Sequence, residues 1–166
     1  DLGMNDSTAI GFFQNIGKEI HWIDSFVAEG EGLGFYISAL SKKGYNYGNH
    51  YFPHDIEARE LGTGKSRKEV VEAMGIRVNK VPNISINDGI NAVRGLFSRL
   101  WIDAEKNKEA IHAISNYRKE FDEKRGTYKD KPRHDWTSHF ADMVRYRAVT
   151  PDIQEESFVP LSLIHI

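Results

Sequence analysis

TAIGFFQNIGKEIHWIDSFV, residues 8–27, is the stretch on which the fold turns. Residues 8–13 and 20–27 are rich in β-branched and aromatic side chains, which suit a pleated, half-buried surface. Asn15, Gly17 and Lys18 stand between them with the chemistry of a tight turn, so two antiparallel strands are expected. Downstream, Leu33, Tyr36, Ile37 and Leu40 recur at helical spacing and stop at Lys42, Lys43 and Gly44, the cationic last turn and glycine of a helix C-terminus. Residues 50–53, with Tyr51 and Phe52, read as a buried strand whose end opens into His54 and Asp55.

The same alternation continues to the end. Ser66 and Glu69 have capping-box spacing ahead of Val70, Val71 and Met74, and Gly75 closes that helix before a strand at 76–81. Ser85 and Asp88 repeat the device ahead of Ile86, Ile90, Val93 and Phe97, and a brief strand at 100–102 precedes Asp103. Residues 105–121 read as helical with Ile111, Ile114 and Phe121 on one face, residues 123–131 as a charged turn around Gly126, and 137–149 as the last helix. A hairpin followed by alternating strands and helices implies an α/β domain, a mixed β-sheet flanked by helices.

A chain of 166 residues holds one such domain. No apolar run approaches the roughly 18 residues that span a bilayer, so no membrane partner is expected. There is no cysteine, which excludes disulfides and thiolate metal sites, favours an intracellular setting, and leaves oxygen and imidazole as the available metal ligands. With 22 basic and 24 acidic side chains the net charge is −2, so the chain does not coat nucleic acid through bulk positive charge; any contact with DNA falls to local patches. The opening at Asp1, without methionine or targeting segment, reads as the edge of an excised piece. Residues 150–166 read as a tail, disordered or foreign, that ends in the aperiodic apolar run 161–166.

Phosphodiester hydrolysis assisted by two divalent ions needs carboxylates converging on metals about 4 Å apart, and hard oxygen ligands suit Mg²⁺ or Mn²⁺. In sequence, such a site takes the form of acids at the ends of different strands plus an acid on a crossing helix, because only folding gathers them. Asp1 in DLGMNDSTAI, Asp55 at the end of HYFPHD and Asp142 in SHFADMVRY fit that description. On the last helix His139, Asp142 and Tyr146 fall at spacings of three and four and share one face, while Phe140, Met143 and Val144 pack inward. Asp135 either extends this polar face beside the site or caps the helix, the role Asp commonly takes.

Four blocks carry a resemblance: DLGMNDSTAI (1–10), HYFPHDIEARELGTGKSR (50–67), VPNISINDGINAVRGLF (81–97) and HDWTSHFADMVRYRAV (134–149). Together, and in this order, they resemble the nuclease domain of phage large terminase subunits over residues 1–149. The resemblance implies an RNase H-like fold with catalytic acids on the first strand, at the end of a later strand and on the C-terminal helix, which become Asp1, Asp55 and Asp142. It adds Asp6 as an assisting metal ligand. It implies a metal-dependent endonuclease that cuts concatemeric viral DNA during genome packaging in the host cytoplasm, using two Mg²⁺ or Mn²⁺ ions. Its expected partners are double-stranded DNA, the terminase ATPase domain, the portal and the small terminase subunit. Two departures follow from where the chain opens: the carboxylate of Asp1 lies beside an α-amine instead of a peptide, and no ATPase domain accompanies it, so the piece is expected to cut but not to package.

Other signals have plainer readings. LGTGKS is not a P-loop, because that pattern needs a glycine where Arg59 stands. It reads as a turn leading to the Ser66 cap, with Lys65, Arg67 and Lys68 available to a DNA phosphate. His54, His134 and His139 lack zinc-ligand spacing, and His139 is read as a neighbour of the acid site at most. In the run 118–133 the acids Glu120, Asp122, Glu123 and Asp130 nearly cancel the cations. A solvated surface is the plain reading; the functional one is a DNA-facing loop or hairpin beside the last helix carrying Lys124, Arg125 and Lys129. Two rival functions remain: a resolvase- or transposase-type nuclease, distinguished by preference for branched DNA, and a non-catalytic docking module of a packaging motor, distinguished by the absence of divalent-ion binding.

Overall fold

Strands β1 (Ser7–Ile16) and β2 (Glu19–Glu29) pair antiparallel around a turn where Gly17 adopts φ +60°, a left-handed conformation that glycine takes without strain. This is a computed structural model, and it describes residues 7–59 and 64–151. The ladder is not regular: Phe12 pairs with Asp24 and Phe13 with Trp22, which leaves Ile23 as an extra residue. A bulge of this kind reverses the alternation, so Trp22 and Asp24, two residues apart, face opposite sides of the sheet.

Trp22 takes the core side. It is fully buried, stacks on Phe13 with ring centroids 5.5 Å apart, and packs with Ala9, Ala110, Ala113, Phe140, Met143 and Val144. Apart from Ala9 and Phe13 of β1, those partners come from α4 (Lys108–Asn116) and α5 (Ser138–Val149), which cover this face. Strand β5 (Leu100–Ile102) joins β2 in parallel, completing a mixed three-stranded sheet in the order β1-β2-β5. Buried Asn107 fixes the entry to α4: its amide donates to the carbonyls of Trp22 (3.1 Å) and Asp103 (2.9 Å), and its Oδ1 accepts from Ser25 Oγ (2.7 Å).

Asp24 takes the opposite side, under α1 (Leu33–Lys43), whose C-terminus ends at Gly44 in the left-handed region with φ 69°. Its carboxylate accepts from Lys43 Nζ (2.6 Å), Tyr45 Oη (3.0 Å) and the Ser25 amide (2.8 Å). Burial alone would raise its pKa, but the bonds from Lys43 and Tyr45 outweigh that and hold it below the ordinary 3.8.

A second, parallel pair, β3 (His50–Phe52) and β4 (Val78–Lys80), brackets a 3₁₀ turn, His54–Glu57, and the short helix α2 (Arg67–Ala73). The expected capping box is present: the Glu69 amide donates to Ser66 Oγ (3.1 Å) and the Ser66 amide to Glu69 Oε2 (2.6 Å). Helix α3 (Ile86–Leu96) begins at the Ser85 cap, and β6 (Lys119–Asp122) with β7 (Thr127–Pro132) forms a separate hairpin.

Two expectations are corrected. The helix expected over 105–121 ends at Asn116; Phe121 lies on β6, where it meets Tyr128 edge-on at 5.1 Å across a turn in which Gly126 adopts φ +61°. The cross-strand aromatic pair and the positive-φ glycine outweigh the weak helical spacing of Phe121 with Ile114. Among the described residues the strands form one mixed three-stranded sheet and two pairs. The strand expected at 76–81 is limited to Val78–Lys80, since β4 has only β3 to pair with. The tail beyond residue 151 lies outside the described residues. No helix among those described is long and apolar enough to cross a membrane.

Helix α5 is seated by a glycine. A Cβ at Gly11 would collide with the Met143 sulfur and lie 2.6 Å from Phe13 Cε2. Gly11→Val is expected to lower the unfolding free energy by about 1–3 kcal/mol, read as a fall in denaturant midpoint at unchanged slope. A wild-type midpoint would show that α5 does not rest there. For Asp24, whose folded pKa is depressed, the stabilisation is present above its ordinary value and is lost as pH falls through the lower folded value. Asp24→Asn should therefore cost about 1–3 kcal/mol near neutrality, with the gap to wild type closing as denaturation is repeated towards about pH 3; a gap independent of pH would refute the charge argument.

Candidate functional site

Helix α5 carries Asp142, Arg145 and Tyr146 within one turn, and packs at once against β1, α3 and α4. That enclosure buries His139 as well as Phe140, Met143 and Val144, so the helix is less two-faced than its sequence spacing implied. From the other side, the 3₁₀ turn after β3 delivers Asp55. The turn is held by Ile56 N donating to Pro53 O (3.1 Å) and Ala58 N to Asp55 O (2.9 Å), and is anchored by the fully buried Ile56. Asp55 thus stands just beyond the strand end, in a turn that the strand's own hydrogen bonds do not reach.

Both acids act on one phenol. Burial raises the Tyr146 hydroxyl above its ordinary 10.0, Asp142 pushes it further, Arg145 opposes, and Asp55 adds to the rise. Tyr117 is raised by burial and then by Asp142, with Arg145 opposing and Asp135 contributing. Asp142 is thus common to the rise of both tyrosines, with Asp55 contributing at Tyr146 and Asp135 at Tyr117.

The two carboxylates are unequally satisfied. Asp142 Oδ1 accepts from Arg145 Nη2. Asp55 Oδ2 accepts a long bond from Arg67 Nη1 (3.4 Å), while Asp55 Oδ1 is buried and has no hydrogen-bond partner among the described residues. A buried carboxylate oxygen without a donor costs about 1–3 kcal/mol or more, and a divalent cation is a ligand that would repay it. Beside the acids lies an open cleft of about 220 Å³ lined by His54, Asn83, Ile84, Arg145, Tyr146 and Val149, among others.

Asp1 and Asp6 lie outside the described residues, and among those described no three acids or imidazoles gather closely enough to hold an ion together. Asp135 is engaged at the start of α5: its Oδ1 accepts from the Thr137 amide (2.9 Å) and Oγ1 (2.6 Å), bonds that hold its carboxyl below the usual range. His139 is 8% exposed, with the His134 ring 6.1 Å away. Of the cations expected to face DNA, Lys65 is exposed, Lys68 lies 4.0 Å from Glu72, and Arg67 turns inward to Asp55. On the β6–β7 hairpin Lys124 is exposed, Arg125 is loosely paired with Asp122 at 4.0 Å, and Lys129 bonds Glu120 at 2.7 Å. Sequence reasoning missed Arg145, although its i,i+3 spacing from Asp142 was the available signal. It also missed Arg67 as a partner of Asp55, for which no local signal exists.

No protein-family model matches the chain. Over 65 residues it is 37% identical to the large terminase subunit of Escherichia phage T5, a stretch covering 37% of this chain and 15% of that protein. The large terminase of the thermophilic bacteriophage D6E superposes with a TM-score of 0.69 at 18% identity, over 89% of this chain and 37% of that one. The large-terminase nuclease domain of bacteriophage SPP1, solved with bound Mn, superposes with a TM-score of 0.60 at 16% identity, over 86% of this chain and 77% of that one. The class is thereby defined: an α/β domain of RNase H-like fold. Within it, the architecture is that of the large-terminase nuclease domain on which it superposes. The chain spans well under half the length of the whole terminases it matches.

Proposed function

We propose that this chain is a divalent-metal-dependent DNA endonuclease domain that cuts concatemeric viral DNA during genome packaging in the host cytoplasm, with Asp55 and Asp142 as metal ligands completed by Asp1 and assisted by Asp6. The observation that carries the reading is the Asp55 oxygen that is buried and without a donor among the described residues, on an acid that together with Asp142 adds to the rise at Tyr146. The bound Mn in the SPP1 domain, which shares this fold, supports a divalent ion as what those oxygens serve. Two Mg²⁺ or Mn²⁺ ions would supply an activated water and neutralise charge on the leaving 3′-oxygen.

The chain's own residues prepare that chemistry. The backbone of Asp55 is fixed by the bonds of its turn, which sets the direction in which its side chain leaves the chain. Tyr146, with its phenol raised, stays protonated and neutral beside the acids, adding no third negative charge. Lys124, Arg125 and Lys129 lie on a hairpin whose base adjoins the site: the Arg133 amide bonds Arg118 O (3.0 Å), and both side chains act on Asp135. These cations, with Lys65 and Lys68, would meet DNA phosphates and confer little sequence preference. The ATPase domain, portal and small terminase subunit are the partners this role calls for, alongside double-stranded DNA.

Asp55→Asn and Asp142→Asn are each expected to reduce Mn²⁺-dependent cleavage of plasmid DNA by about a hundredfold or more while duplex binding persists; full cleavage by the double variant refutes the assignment. Neutralising Lys124, Arg125 and Lys129 together should weaken duplex binding and flatten its dependence on salt by roughly two to three units of slope, measured by fluorescence anisotropy across a salt series. An unchanged slope would leave the hairpin out of the DNA path.

A further inference from the structure

We propose that Arg145 is a DNA phosphate-binding residue that Asp142 holds in reserve, so that divalent-ion binding and DNA binding are coupled through one guanidinium. The inference rests on the reading of Asp142 as a metal ligand and deepens it. Arg145 follows Asp142 by three residues on α5 and donates Nη2 to Asp142 Oδ1. Its side chain is only 13% exposed. The stem lies across α3 at Gly89, where an added Cβ would come within 3.2 Å of Arg145 Cδ and 3.5 Å of its Cβ and Cγ. The absence of a side chain at Gly89 is what lets the arginine lie down into the cleft it shares with His54, Asn83 and Tyr146.

The guanidinium is incompletely used. Its Nε is buried and has no hydrogen-bond partner among the described residues. An unsatisfied buried donor is costly, and arginine's planar fork of donors matches the oxygens of a phosphate as no other side chain does. The cleft beside it, about 220 Å³, has room for a backbone phosphate. Metal and guanidinium also compete. Both are cations, and both seek the oxygen that Arg145 now occupies. Arg145 holds the Asp142 side chain in place before an ion arrives; once an ion takes that oxygen, like charge repels the guanidinium, which then satisfies Nε and Nη on a DNA phosphate. The coupling is reciprocal, so duplex DNA tightens ion binding by the same factor.

The test uses the full chain, with Mn²⁺ binding measured by calorimetry without DNA, and duplex binding by anisotropy in Ca²⁺. Arg145→Gln is expected to bind Mn²⁺ about threefold or more tightly, since its competitor is gone. The same variant should bind duplex about tenfold more weakly, with a salt slope smaller by about one. Arg145→Lys keeps a cation on Asp142 but lacks the fork, so its Mn²⁺ affinity should stay near wild type while duplex binding falls as for the glutamine variant. These opposite signs are not produced by a merely structural arginine. The proposal is overturned if Mn²⁺ and duplex affinity fall together in Arg145→Gln, or if duplex binding is unchanged in either variant. Should the glutamine variant fail to fold by circular dichroism, the lysine variant decides alone, and wild-type duplex affinity there overturns the proposal. Wild-type protein that binds no Mn²⁺ sinks the nuclease reading itself; wild-type protein that binds Mn²⁺ with inert Arg145 variants sinks only the coupling.

Discussion

The close approach of α5 to β1 at Gly11 is the contact on which the rest depends. With no side chain at that position, Met143 and Phe140 reach the layer formed by Trp22, Ala110 and Ala113, and the helix is buried nearly all round. Burial of this kind fixes the helix in rotation as well as position, because turning it would lift Met143 and Val144 out of the core. Asp142, Arg145 and Tyr146 are on that helix, so the geometry of the acidic site is inherited from apolar packing on its far side. Interiors are close-packed and tolerate little drift, which is why a rigid helix serves better here than a loop.

Two aspartates show how the same residue type is used for different ends. Asp24, turned away from the core by the bulge at Ile23, receives donors from Lys43, Tyr45 and the Ser25 amide, and its charge is met on every side. Among the described residues, Asp55 has one buried oxygen without a donor and a long bond from Arg67 at the other. The first arrangement stabilises the fold. The second leaves a buried acceptor open, at a cost in stability.

Much of the architecture was legible because its signals are local in the chain. The turn at Gly17, the glycine stop at Gly44 and the Ser66–Glu69 box each involve residues within four positions of one another, and all three are present. Phe121 was misread because a single aromatic at helical spacing cannot be told from one at strand spacing until its partner, Tyr128, is known. The bulge at Ile23 leaves no local mark, so the burial of Asp24 could not be foreseen. At the site, Asp55 and Asp142 were singled out as acids at a strand end and on a crossing helix and then through motif resemblance, and both add to the rise at the Tyr146 phenol; Asp1 and Asp6 lie outside the described residues. Arg67 escaped because its contact with Asp55 depends on how the chain returns after the 3₁₀ turn, which no spacing rule encodes.

That return has a wider bearing. Helix α2 is seven residues long, too short to hold itself, and its first residue is Arg67, directly behind the Ser66 cap. The arginine facing Asp55 is therefore tethered by a hydrogen-bonded knot, of which the Glu69 carboxylate is one strand. Bonds from the Ser66 amide and hydroxyl depress the Glu69 pKa, so the knot is tied above the usual glutamate range and slips only as acidity passes the lower value. The counter-charge of Asp55 is thus governed by a helix terminus that forms no part of the acidic cluster. Sequence drift at Ser66 or Glu69 would retune the site without touching any residue within it.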